Sequence, residues 1–149
     1  MQDQSATNTA SGRSYAGDIT PQEAWQLLSD NPEAVLVDCR TDAEWRFVGV
    51  PDVSGLGRDA VYVQWVSQDG RRNERFVDQL IEAGITPGDR PVAFLCRSGQ
   101  RSIGAAEAAT AAGIAPSYNI LDGFEGHLDA QGHRGGCGWR ASGLPWRQS

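Results

Sequence analysis

The sequence predicts an α/β fold, a parallel sheet covered on both faces by helices. Two short unbroken apolar runs, Ala34-Val35-Leu36-Val37 and Pro91-Val92-Ala93-Phe94-Leu95, have the pattern of strands buried on both sides. Segments of helical period lie between and around them, and two of these open with a Thr-x-x-Glu capping box, at Thr20–Glu23 and Thr41–Glu44. Strand and helix alternate along 149 residues, enough for one domain with a sizeable core, so parallel strands joined by helical crossovers are the simplest architecture.

Each element has its own signal. Residues 1–17 are small and polar and read as a disordered lead-in, with a single domain over 18–149. The first helix starts at Thr20-Pro21, with proline at the first helical position, and ends at Asn31-Pro32. The run from Ala34 to Asp38 is a strand. Thr41 caps a short helix carrying Trp45 and Phe47, and the β-branched and aromatic stretch Val61–Val66 reads as a second strand. From about Asn73 the spacing of Phe76, Val77, Leu80 and Ile81 is helical, and Gly84 stops it. Pro91–Leu95 is a strand, Ser102–Ala112 a helix closed by Gly113, and Ser117–Leu121 a further strand. Residues 129–149 are rich in glycine and mostly irregular, with Trp139 and Trp146 as core and tail anchors.

Composition narrows the function classes. The net charge is -6 and no Lys/Arg run occurs, so a nucleic-acid partner is not expected. No apolar run approaches the roughly 18–20 residues of a membrane span, and the first residues lack the basic start and apolar core of a secretory signal. Three cysteines without a CxxC suggest neither a disulfide framework nor a zinc site, and no cofactor is expected. A reducing cytoplasm is the default location. His127 and His133 have no cysteine or carboxylate at metal-ligand spacing and read as loop histidines.

The chemistry concentrates in Cys96-Arg97-Ser98-Gly99-Gln100-Arg101-Ser102, between a buried strand and a helix start. The helix supplies unpaired N–H groups and the positive end of its dipole, and two arginines add permanent charge, so the loop favours a nucleophilic thiolate over a thiol. The same amides can hold an anion. In open parallel sheets the site lies beyond the carboxyl ends of the strands, where both Asp38 and Cys96 fall.

Val37-Asp38-Cys39-Arg40 followed by Glu44-Trp45, the Cys96–Ser102 loop, Leu121-Asp122-Gly123-Phe124 and the closing Gly143-Leu144-Pro145-Trp146 resemble the single-domain rhodanese (thiosulfate sulfurtransferase-like) family over residues 18–146. The resemblance implies a five-stranded parallel sheet and a sulfurtransferase whose cysteine cycles between thiolate and persulfide. It makes Cys96 the sulfur acceptor and Arg97, Ser98, Gly99, Gln100 and Arg101 the rest of a six-residue loop around the terminal sulfur. One departure is visible: the family's Gly-His-Ile-Pro-Gly is here Val48-Gly49-Val50-Pro51-Asp52, without the histidine.

Within that frame Arg97 is expected on a donor's sulfonate, and Arg101 on the thiolate or holding the loop. Ser98 either donates to a bound anion or caps the turn, Gly99 supplies a left-handed turn, and Ser102 caps the helix. Asp38, with Arg40 beside it, is expected to accept from loop donors rather than act as a base, since a carboxylate next to a thiolate opposes its ionisation. Cys39 either fills a slot at a strand end or, if its strand neighbours that of Cys96, exchanges sulfur or a disulfide with it; Cys137 is an exposed cysteine or a resolving thiol. Small-molecule donors and a thiol or cyanide acceptor are the expected partners, with a sulfur-accepting protein as a variant. The rivals are a cysteine phosphatase or arsenate reductase, which places five rather than four residues between Cys and Arg, and a non-catalytic interaction or sulfur-relay module.

Overall fold

The computed structural model describes residues 14–148. Five parallel strands form the main sheet: β1 (Gly17–Ile19), β2 (Val35–Asp38), β4 (Val61–Tyr62), β5 (Val92–Leu95) and β6 (Ser117–Ile120), in the order β1-β6-β5-β2-β4. The helices are α1 (Pro21–Asp30), α2 (Asp42–Phe47), α3 (Phe76–Glu82) and α4 (Arg101–Ala111). A separate antiparallel pair joins β3 (Val50–Pro51) to β7 (Trp146–Arg147).

Both expected capping boxes form, with the Thr20 and Thr41 hydroxyls accepting from the amides of Glu23 and Glu44 and each glutamate returning to the cap amide. Removing one such cap costs about 1 kcal/mol. The central strands β2 and β5 are buried at every position, because alternate side chains enter two different cores. Val35, Val37, Val92 and Phe94 pack with Phe76 and Leu80 of α3 and with Ala105, Ala106 and Ala109 of α4. Leu36, Ala93 and Leu95 face the other way, onto Ala24 and Leu28 of α1 and onto Trp139. Each fully buried Val, Leu or Phe among them contributes roughly 1.5–3 kcal/mol.

Three elements differ from the sequence reading. The Val61–Val66 strand is cut to Val61–Tyr62. Beyond it Val63 and Trp65 still donate to the carbonyls of Asp38 and Cys39, but Trp65 turns to pack edge-on against Phe76, with ring centroids 5.0 Å apart. The third helix begins at Phe76 rather than Asn73, whose side chain instead accepts from the Arg75 amide and closes a turn. The expected lead-in lies outside the described residues through position 13, whereas Ala16 already donates to Ser117 and Gly17 pairs with Tyr118. No helix among the described residues is long and apolar enough to cross a membrane.

Candidate active site

Register brings the site together. Asp38 lies opposite Leu95 in the β2–β5 pair, so the next residues, Cys39 and Cys96, leave neighbouring strands side by side on the α4 face of the sheet. After Cys96 the chain turns through Arg97–Gln100 and enters α4 at Arg101. The Cys96 sulfur, 1% exposed, lies inside this turn. It receives the amide N–H of Gly99 at 3.2 Å and that of Ser102 at 3.3 Å, and lies 3.1 Å from the Ser102 hydroxyl. The amides of Arg97, Ser98, Gln100 and Arg101 meet no acceptor among the described residues. Two backbone donors thus reach the sulfur.

Gly99 makes the turn possible. Its φ is +91°, and a Cβ there would lie 2.8 Å from the Asp122 amide nitrogen. The turn after β6 closes the back of the loop, with Phe124 donating to the Cys96 carbonyl at 2.8 Å and Glu125 to that of Arg97 at 2.9 Å. The Leu121–Phe124 segment therefore acts as the wall of the loop.

Ser102 is not the helix cap expected of it. Gln100 holds the cap position, without a side-chain hydrogen bond, and Ser102 lies inside the first turn of α4. The Cys96 sulfur accepts the Ser102 amide as a capping oxygen would. The Ser102 hydroxyl is hydrogen-bonded to Asn119 Oδ1, and Asn119 Nδ2 donates to the Gly99 carbonyl at 3.2 Å and to Asp18 at 3.1 Å. Sequence reasoning missed Asn119. Its available signal was an amide side chain inside the expected strand Ser117–Leu121; the structure buries it completely, and such a group must find partners.

The arginines divide. Both terminal nitrogens of Arg101 bind the two Glu44 carboxylate oxygens at 2.9 Å, a bidentate bridge from α4 to α2. Burial pushes the Glu44 carboxyl up, but the Arg101 bridge and the Thr41 bonds outweigh it and hold the group below its ordinary range. Burial likewise favours neutral Arg101, and Glu44, followed by Cys96 and Cys39, overturns this and raises it. Arg97 is exposed and makes no ion pair with a described carboxylate. Both arginines line a pocket of about 520 Å³ with Thr41, Glu44, Val48, Ser67, Gln68, Gly70 and Glu125. Ser98 is half-buried and Gln100 exposed on the same loop.

Asp38 does not serve the loop. It accepts from Arg40 at Nε (2.9 Å), Nη2 (2.7 Å) and the backbone amide (3.2 Å), with both side chains wholly buried. Arg40 also donates to the Gly49 carbonyl at 2.8 Å and lies 4.3 Å from the Phe124 ring centroid. This pair braces the α2–β3 connection, where the family's histidine is missing, against the wall turn. Cys39 donates its thiol to the Leu95 carbonyl at 3.3 Å, and burial first, then the charges of Cys96 and Asp38, push it well above the ordinary thiol range. His127, expected to lack a cysteine or carboxylate neighbour, has both: Asp122 Oδ1 and Cys137 Sγ each lie 3.2 Å from its Nδ1.

Comparison with known proteins agrees with this architecture. The chain matches the family described as STR4 middle domain over residues 16–149. The crystal structure of Rv0390 from M. tuberculosis is 67% identical, with a TM-score of 0.84, over 91% of this chain and 99% of that one. Rhodanese-like domain-containing protein 4 of Arabidopsis thaliana, a chloroplastic protein, is 30% identical over 125 residues, 84% of this chain and 24% of its own length. The polysulfide-sulfur transferase homodimer of Wolinella succinogenes shares the fold at 24% identity and a TM-score of 0.60, over 89% of this chain and 78% of that one. Sheet order, cysteine loop and these matches converge: the chain belongs to the rhodanese-like family, as a single small domain of the STR4 middle domain type.

Proposed function

We propose that the protein is a sulfurtransferase that carries a sulfane sulfur as a persulfide on Cys96. The observation carrying this reading is a buried cysteine sulfur that accepts the Gly99 and Ser102 amides, on a loop whose Arg97 and Arg101 line a pocket of about 520 Å³. The Cys96 thiolate attacks the outer sulfur of an anionic donor such as thiosulfate. A new S–S bond forms, the old bond to the sulfonate sulfur breaks, and sulfite leaves with its electron pair. Cyanide, or a thiol in the cell, then attacks the outer sulfur and releases the Cys96 thiolate. A sulfur-accepting protein would take the same sulfur by the same step, and a cytoplasmic setting keeps the thiol reduced.

Backbone amides suit this work because they stabilise charge on sulfur without reorganising, as an oxyanion hole does for oxygen. The Ser102 hydroxyl serves both states of the cysteine. It accepts from the thiol while donating to Asn119, and it turns its proton to sulfur when the thiolate forms. Arg101, held by Glu44, sets the pocket wall, which leaves Arg97 to meet the sulfonate. The phosphatase reading loses ground on two counts: only four residues separate Cys96 from Arg101, and the end-on fork of Arg101 is committed to Glu44.

Intact-mass measurement after thiosulfate treatment tests the proposal. The chain gains one sulfur, cyanide removes it, and Cys96→Ser gains none; an adduct persisting in Cys96→Ser would overturn the assignment. Arg97→Ala raises KM for thiosulfate about tenfold with kcat little changed, as expected for one exposed charge-assisted contact. Steady-state rates with varied thiosulfate check this, and an unchanged KM removes Arg97 from the donor site.

A further inference from the structure

The fold joins three potential metal ligands that the sequence keeps apart. Asp122, His127 and Cys137 each offer one donor atom, and all three atoms lie within 4.8 Å of one another. Asp122 Oδ1 and Cys137 Sγ both approach the same ring nitrogen, His127 Nδ1, at 3.2 Å. That geometry argues against a Cys–His–Asp catalytic relay, in which carboxylate and thiol would take opposite ring nitrogens. A single imidazole nitrogen carries one proton or one lone pair, so it satisfies one of these neighbours well and the other poorly. A cation between the three satisfies all of them.

We infer that Asp122, His127 and Cys137 form a site for a borderline-soft divalent cation, zinc first. One thiolate, one imidazole and one carboxylate are zinc ligands, whereas magnesium and calcium prefer oxygen alone. Metal–ligand bonds of about 2.0–2.3 Å in tetrahedral geometry separate the ligand atoms by roughly 3.3–3.6 Å. The observed 3.2 Å contacts need to open by only a few tenths of an ångström. Binding replaces the Cys137 thiol proton with the metal and releases that proton to solvent. The exposure of the His127 side chain, 67%, leaves a fourth position to water or a small ligand.

The donors are held by backbone. Asp122 has a left-handed backbone (φ 65°) and accepts the Gly126 amide at 2.8 Å. Gly126 lets the Cys137 segment approach, since a Cβ there would lie 2.9 Å from the Cys137 sulfur. The returning chain is pinned by Gly135 to Glu125 at 2.9 Å, by Trp139 to Gly123 at 2.8 Å, and by the Arg134 guanidinium to the Gly126 carbonyl at 2.8 Å. A bound cation would fasten the glycine-rich C-terminal segment to the turn behind the Cys96 loop.

Titration with Co(II), followed by displacement with Zn(II), tests the site in the Cys96→Ser chain, which lacks the thiol of the proposed sulfur carrier. One equivalent of Co(II) binds, with a thiolate-to-cobalt charge-transfer band in the near ultraviolet that Zn(II) abolishes. Cys137→Ser removes the band, and His127→Ala, at an exposed position that does not threaten folding, weakens binding at least tenfold. Absence of stoichiometric binding at micromolar metal, or binding left unchanged by either substitution, overturns the assignment.

Discussion

Cys39 and Cys96 end adjacent strands on the same face of the sheet, and both are buried, yet their surroundings are opposite in sign. Cys39 faces an acceptor, the Leu95 carbonyl, and has the Asp38 carboxylate as its neighbour, so its proton is retained. Cys96 faces donors, the amides of Gly99 and Ser102. Burial is shared and does not distinguish them. The difference lies in the path of the chain beyond each strand. After β2 it continues into a carboxylate–guanidinium pair and a capped helix on the sheet rim. After β5 it folds back over its own cysteine and starts a helix there. Backbone donors that converge on a buried cysteine suit it to act as a reagent, and an acceptor in their place suits it to packing.

The largest test of this contrast is the counterpart of Cys96→Ser: Cys39→Ala takes up one full sulfur in the mass assay, and a chain that loses uptake on this change would make Cys39 part of the relay. Gly99→Ala comes next. Its Cβ would displace either the loop or the Asp122 amide, and an error of this size in a reacting group costs about 10²-fold in the rate of sulfur uptake. Rapid-quench mass measurement reads this rate, and a wild-type rate would show that the turn tolerates distortion.

At the end of β2 the expected damage is to stability instead. Asp38→Ala leaves Arg40 buried without its carboxylate, at a cost of about 3–5 kcal/mol, while the folded fraction still accepts sulfur at Cys96. Denaturant unfolding with parallel mass analysis separates the two readouts. The smallest effect concerns Glu44, whose folded pKa is depressed from 4.5. A depressed carboxyl contributes stability above its unfolded pKa and loses it as pH falls through the folded value. Glu44→Gln therefore costs about 1 kcal/mol at neutral pH and has a diminishing effect below pH 4.5, seen as converging unfolding midpoints.

Much of this was legible locally. The capping boxes at Thr20 and Thr41, the doubly buried strands and the left-handed Gly99 each arise from a few consecutive residues, and the structure repeats them. The partners of polar side chains were not legible in the same way. Asp38 and Arg40 are two residues apart and could be paired on paper, yet only burial of both explains why neither reaches the loop. Glu44 and Arg101 are separated by 57 positions, and His127 and Cys137 by a glycine-rich segment without periodicity. The short pair β3–β7 has no strand-length signal, because two residues on each side supply no alternation to read.

The sequence alone determined the main helices and strands and put Cys96 at the turn from a buried strand into a helix, since helix caps, strand runs and a strand–loop–helix turn are set by near neighbours. Tertiary structure decided what each charge is for. Arg101 became a brace and Arg97 the cation left to the pocket, Asp38 the partner of Arg40, and Ser102 a ligand of the thiol instead of a helix cap. The reason is that hydrogen bonds and ion pairs depend on distances across the sheet rim, which a linear chain does not contain until strands in a fixed register bring their ends together.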